Sequence, residues 1–150
     1  VWALESVCHC EDKIQFFNEA FRVLKPGGRL IVSDYNRKDL MTENELLTLK
    51  NWLEGWSILD IMSFENVKKI PIEAGFEINK ILDASDKIFP SARRMWLAYW
   101  LQTTFHLIYK FFHGVSKASD QNVRSARFQY IALKEKIWRY QMLLANKPIK

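Results

Sequence analysis

The chain has 150 residues, 49% of them hydrophobic and 26% charged, and carries a net charge of +5 from 22 basic and 17 acidic side chains. That composition is too apolar for a disordered tail and sufficient for one ordinary globular domain with a core of useful size. The positive excess is mild and forms only short clusters at Lys68-Lys69, Arg93-Arg94 and Lys134, Lys136, Arg139, so no nucleic-acid partner is expected.

Val1-Trp2-Ala3-Leu4 reads as a buried strand, and a chain that starts inside a strand on Val1 is expected to be part of a longer protein. Glu11-Asp12-Lys13 opens a helix to about Leu24, with Ile14, Phe17, Phe21 and Leu24 at helical spacing and acidic residues where the helix dipole favours them. Pro26 and Gly27-Gly28 stop it, and one of the two glycines is expected at positive φ. Leu30-Ile31-Val32 is a continuous apolar run typical of a strand covered on both faces. Asp34 to Asp39 reads as a polar loop at its carboxyl end. Thr42 and Glu45 have the spacing of a capping box, and the helix they open runs through Leu53 until Gly55 or Ser57 ends or kinks it. Ser63 caps a further helix, Phe64 to Ala74, whose Pro71 removes the bond to the Val67 carbonyl and is expected to kink the axis. Gly75 stops it ahead of a third strand, Phe76 to Leu82.

Pro90 to Phe112 is the most apolar stretch, but Gln102, Thr103, Thr104, His106 and Lys110 interrupt it. A membrane-spanning helix needs about 20 predominantly apolar residues, so a buried or lid helix fits better. Gly114 to Asn122 reads as a polar loop. A last helix, about Val123 to Lys136, precedes a final strand from Trp138 to Ala145 and the tail Asn146 to Lys150. Cys8 and Cys10 lack the further ligands a zinc site needs and are too close for an unstrained disulfide, so no metal is expected, and two free thiols suit a reducing, cytoplasmic compartment.

The run Trp2-Ala3-Leu4-Glu5-Ser6-Val7-Cys8-His9, then a helix, then Arg22-Val23-Leu24-Lys25-Pro26-Gly27-Gly28, resembles the second half of a class I S-adenosylmethionine-dependent methyltransferase. The aromatic-Ala-x-Glu-(Ala/Ser)-x-x-His pattern within it is similar to that of the sterol and tocopherol C-methyltransferases. The resemblance covers roughly Val1 to Phe76, with an echo in Phe128-Gln129-Tyr130 and Trp138-Arg139-Tyr140. It implies an α/β fold: the C-terminal half of a doubly wound, Rossmann-like sheet, with an antiparallel last strand between the two before it. It also implies a helical lid insertion at about 84–136, residues 1–150 together forming the C-terminal portion of one methyltransferase domain. The cofactor implied is S-adenosyl-L-methionine, which the family holds chiefly through a Gly-rich loop. The glycines here, Gly27, Gly28, Gly55, Gly75 and Gly114, form no G-x-G-x-x-G run, so the chain alone is expected to be inactive.

Ligands of open parallel sheets sit outside the carboxyl ends of the strands, where strand order reverses. The resemblance puts Val1 to Leu4 at that point, so Ala3 and Leu4 border the cofactor. Glu5 and His9 then fall to catalysis. A carboxylate can stabilise positive charge developing on the substrate or take the departing proton, and His9 can act as a base or orient Glu5. A structural carboxylate at Glu5 and a capping role for His9 are the plain alternatives. Asp34 and Tyr35 on the same rim, and Tyr130 from the insertion, are candidate substrate contacts; core packing also suits Tyr130 and Trp138. The function implied is methyl transfer to a lipophilic small molecule of sterol, tocopherol or other isoprenoid type. A small-molecule N-methyltransferase with an aromatic cage and a non-catalytic binding protein of the same fold are the alternatives. Arg93 to Phe112, a basic pair followed by aromatic residues, is compatible with peripheral membrane contact.

Overall fold

Asp12 sets the start of the first helix: its side chain accepts from the Gln15 N–H at 2.9 Å, satisfying a donor that the first turn would otherwise leave open. In this computed structural model residues 1–114 and 116–149 are described; Val115, within the expected polar loop, and Lys150, the end of the expected tail, lie outside them. The elements are β1 (Trp2–Leu4), a 3₁₀ turn (Val7–His9), α1 (Lys13–Val23), β2 (Arg29–Arg37), α2 (Glu43–Gly55), α3 (Asn66–Glu73), β3 (Glu77–Asp83), α4 (Ser85–His113), α5 (Lys117–Lys134) and β4 (Trp138–Asn146). They fall into two units.

The first unit holds Val1–Asp39, Leu59–Ser85 and the residues from Trp138 on. Its sheet has the order β1-β2-β4-β3, with β1 parallel to β2 and β4 antiparallel to both neighbours. The expected insertion of the last strand between its two predecessors is therefore present. Leu30, Val32, Leu143 and Ala145 from the sheet join Phe17 and Ala20 of α1 and Val67 and Ile70 of α3 in one buried core.

The joint between α1 and β2 is tied down by the far end of the chain. Lys147 Nζ donates to the carbonyls of Phe21 (2.7 Å) and Leu24 (2.9 Å), which satisfies acceptors at the end of α1 and places a cation where its dipole favours one. The Lys147 backbone also exchanges hydrogen bonds with the turn, from Gly27 N to Lys147 O and from Lys147 N to Gly28 O. Gly27 takes φ +75°, as expected for one of the two glycines.

The second unit comprises Leu40–Ile58 and Asp86–Ile137. The Thr42 capping box is formed in full, with Thr42 and Glu45 each accepting from the other's backbone. Gly55 is buried, and its role is close approach: an added Cβ would lie 2.5 Å from both the Gln121 carbonyl oxygen and Ser125 Cβ of α5. The left-handed residue that turns the chain after α2 is Ser57, at φ 55°.

Several boundaries differ from the sequence reading. The polar run Asp34 to Arg37 continues β2, because β4 pairs with it throughout; it is not a loop. The run from Lys117 to Asn122 belongs to α5, since Ser116 caps the helix by accepting from Ser119 N and Asp120 lies in its first turn. α5 ends at Lys134, and Lys136 takes φ 57°. α4 starts at Ser85, so Pro90 lies inside it. α3 is shorter than expected and runs through a buried Pro71 for two further residues.

Gly27→Val should cost about 1–2 kcal/mol, because a β-branched residue is strained at positive φ and its Cβ would press on Ile149 Cγ1 at 3.2 Å. Urea unfolding of parent and variant measures this; an unchanged midpoint would show that the turn accepts a side chain.

Candidate active site

Glu5 follows β1 with φ 46°, in the left-handed region that non-glycine residues seldom occupy. Its N–H still donates to the Ser33 carbonyl at 2.9 Å, so the ladder to β2 runs on for one step while the side chain leaves the strand. Such a conformation costs of order 1–3 kcal/mol and persists only where the surroundings hold it. Two phenols do so. Tyr35 Oη donates to Glu5 Oε2 at 2.6 Å and Tyr140 Oη donates to Oε1 at 3.1 Å.

The sheet register places those phenols. Tyr35 of β2 and Tyr140 of β4 are direct cross-strand partners, so their side chains leave the same face, with ring centroids 5.6 Å apart. Trp138, two positions along β4 and fully buried, meets the Tyr35 ring edge-on at 5.3 Å. The Ser85 hydroxyl accepts from Tyr140 N at 3.0 Å and fixes the backbone from the other side. Both phenols are buried, and burial together with the Glu5 carboxylate raises their pKa values, so they stay protonated and act as donors.

Asp34 plays a different part. It is buried, and its oxygens accept from the backbone N–H groups of Cys8 (3.0 Å) and Tyr35 (2.8 Å), which ties the 3₁₀ turn to β2. Burial and the neighbouring Asp34 push the Cys8 thiol up to about 12, so it is a packed thiol and not a nucleophile.

Of the residues expected at the site, the structure brings Glu5 and Tyr35 into contact and puts Ala3 and Leu4 at the carboxyl end of β1, Ala3 buried and Leu4 exposed. His9 is exposed on the 3₁₀ turn, and no hydrogen bond among the described residues joins its ring to Glu5. Tyr130 lies on α5 in the second unit, stacked on Trp96 of α4 at 5.1 Å. Tyr140 is the residue that sequence reasoning missed. Its signals were the alternation in Trp138-Arg139-Tyr140 and the echo of the resemblance there, neither of which points to Glu5.

The family described as "Methyltransferase domain" matches residues 1–32. Over 154 aligned residues the chain is 27% identical to 27-O-demethylrifamycin SV methyltransferase of Amycolatopsis mediterranei, covering 99% of this chain and 52% of that protein. Over 39 residues it is 49% identical to 2-methyl-6-phytyl-1,4-hydroquinone methyltransferase of Synechocystis sp., covering 26% of this chain and 12% of that protein. The fold matches phosphoethanolamine N-methyltransferase 2 of Haemonchus contortus, solved with S-adenosylhomocysteine, at TM-score 0.70 and 18% identity over 99% of this chain and 33% of that one. In sequence and in fold the chain is similar to methyltransferases. It spans about half or less of the length of these relatives.

The Haemonchus contortus enzyme is solved with S-adenosyl-L-methionine as well as with S-adenosylhomocysteine, and the end of β1 has a surface whose chemistry is compatible with such a group. At the end of β1 an exposed apolar side chain, Leu4, adjoins the exposed carboxylate of Glu5, a pairing suited to a cation with apolar substituents. Among the described residues no group of side chains could hold a metal ion, and no helix is long and apolar enough to cross a membrane.

Asp34 gives this chain a pH signature. Burial raises its carboxyl above the ordinary value of 3.8, against the backbone donors that lower it. A raised folded-state value makes its contribution to stability complete below the ordinary pKa and progressively lost as pH rises through the raised one. Asp34→Asn cannot ionise, so beyond any constant offset the variant should gain on the parent as pH rises across that window, measured by urea unfolding at a series of pH values. A difference that moves the other way would mean that the backbone donors outweigh burial.

Proposed function

We propose that the full-length protein transfers a methyl group from S-adenosylmethionine to a lipophilic, isoprenoid-like small molecule, with Glu5 as its catalytic carboxylate. The observation that carries this reading is the strained Glu5 backbone, φ 46°, whose carboxylate is held at both oxygens by buried phenols. Ala3 and Leu4 would border the cofactor, which supplies, when bound, an electrophilic methyl group on a sulfonium.

The chain's own contribution is electrostatic. An electron-rich carbon that accepts a methyl group is left with positive charge, and a fixed carboxylate beside it stabilises that charge or accepts the proton that leaves. Tyr35 and Tyr140 fix the carboxylate before the reaction, so little reorganisation is needed as charge develops. His9, exposed on the turn after β1, is the second candidate proton acceptor. The phytyl acceptor named for the Synechocystis relative supports a lipophilic substrate. A carboxylate flanked by aromatic rings also suits a protonated amine, so N-methyl acceptors belong in the same substrate panel.

In the full-length protein Glu5→Gln keeps the shape and removes the charge. Turnover should fall by about 10²- to 10³-fold, the usual effect of losing one such electrostatic contact, with cofactor affinity by calorimetry nearly unchanged. Tyr140→Phe removes one donor to a charged group and should lower turnover by about tenfold with a nearly parental melting temperature. A Glu5→Gln protein that turns over like the parent would make the carboxylate structural and sink the reading.

A further inference from the structure

α4 is apolar on two opposite sides, and only one of them is covered within its own unit. Ala92, Trp96, Tyr99, Thr103 and His106 recur at helical spacing and are buried or half-buried, with Trp96 stacked on Tyr130 of α5 and His106 paired with Asp120 of α5 at 3.3 Å. A helix that is apolar all round needs a second apolar neighbour. The opposite side consists of Leu97, Leu101, Phe105, Ile108 and Phe112, again at helical spacing, and all are exposed, Phe105 at 71% and Phe112 at 71%. Trp100 and Phe111 flank this stripe and are exposed as well. It runs for about 22 Å at 1.5 Å per residue, a contiguous exposed apolar surface of the kind that marks a binding face.

Its charge selects the occupant. Arg93 and Arg94 stand at the amino end of the stripe and both are exposed. From Lys87 to Ser119 the sequence contains no Asp or Glu, against the cations Lys87, Arg93, Arg94, Lys110 and Lys117. A protein groove that receives an apolar helix face has no general need for an acid-free flank. An anionic lipid surface does, because each carboxylate near it is repelled and each Lys or Arg attracted. Aromatic side chains alongside aliphatic ones suit the boundary between headgroups and acyl chains.

We propose that the outer side of α4, Leu97 to Phe112 with Arg93 and Arg94, docks the protein on membrane surfaces rich in anionic lipid, the helix lying in the plane of the interface. The inference is independent of the methyl-transfer reading, since none of these residues belongs to the Glu5 site.

The test is cosedimentation of the full-length protein with phosphatidylcholine vesicles, with and without phosphatidylglycerol, beside light scattering of the protein alone. Binding should require phosphatidylglycerol and weaken with added salt. Phe105→Asp with Phe112→Asp should lower vesicle affinity by at least about tenfold, as two large apolar side chains leave the interface, while methyl transfer to a water-dispersed acceptor and the circular dichroism spectrum stay parental. Arg93→Glu with Arg94→Glu should lower it by about fivefold or more per residue, which keeps the inference testable should the Phe variants misfold. It is overturned if neither vesicle binds, if both bind equally, or if the protein is a dimer that Phe105→Asp converts to monomer, since a second copy would then own the stripe.

Discussion

The antiparallel seating of β4 between β2 and β3 is the constraint on which the first unit depends. Its register runs unbroken against β2 from Arg29↔Asn146 to Arg37↔Trp138. A slip of one residue would send every side chain of β4 to the other face. It would expose Leu143 and Ala145, which now close the core, and turn Tyr140 away from Glu5. The same register delivers Lys147, just past the strand, to the open carbonyls at the end of α1 and to the Gly27 turn. One pairing therefore fixes the core, the α1–β2 joint and the carboxylate clamp together, and none of the three could be moved alone.

How much of this was legible in the sequence depended on how local each signal was. The Thr42 capping box, the Pro26-Gly27-Gly28 exit and the Leu30-Ile31-Val32 strand are written in neighbouring residues and each formed, although Ile31 is exposed and not covered as the apolar run implied. Asp34-Tyr35-Asn36 looked like the beginning of a loop because its composition is polar, yet all three residues are buried in β2. Pairing with a strand more than a hundred positions away overrode local preference. Tyr140 was hidden for the same reason, since nothing near it in sequence points to Glu5. α5 is the instructive opposite. Its start was readable from Ser116 and Asp120, and the polar stretch between them concealed it.

The site contains two acidic residues close in space, and their surroundings separate their roles. Asp34 accepts from backbone N–H groups at both oxygens and is buried, so its capacity is committed to holding the 3₁₀ turn against β2. Glu5 also accepts at both oxygens, but from side-chain hydroxyls, and it remains exposed. An ionised carboxylate has about four acceptor positions, so two phenols leave room for a further partner on the solvent side. Backbone donors cannot rotate away, whereas a phenol can shift as charge on its acceptor is compensated. The strained backbone falls at Glu5 and not at Asp34, which matches this division: strain is retained where a side chain must be aimed out of the regular pleat, and Asp34 already lies within it. Separate environments for two neighbouring acids can keep a structural carboxylate apart from one free to act in chemistry. On these grounds the proposed chemistry falls to Glu5 and not to the more deeply buried Asp34.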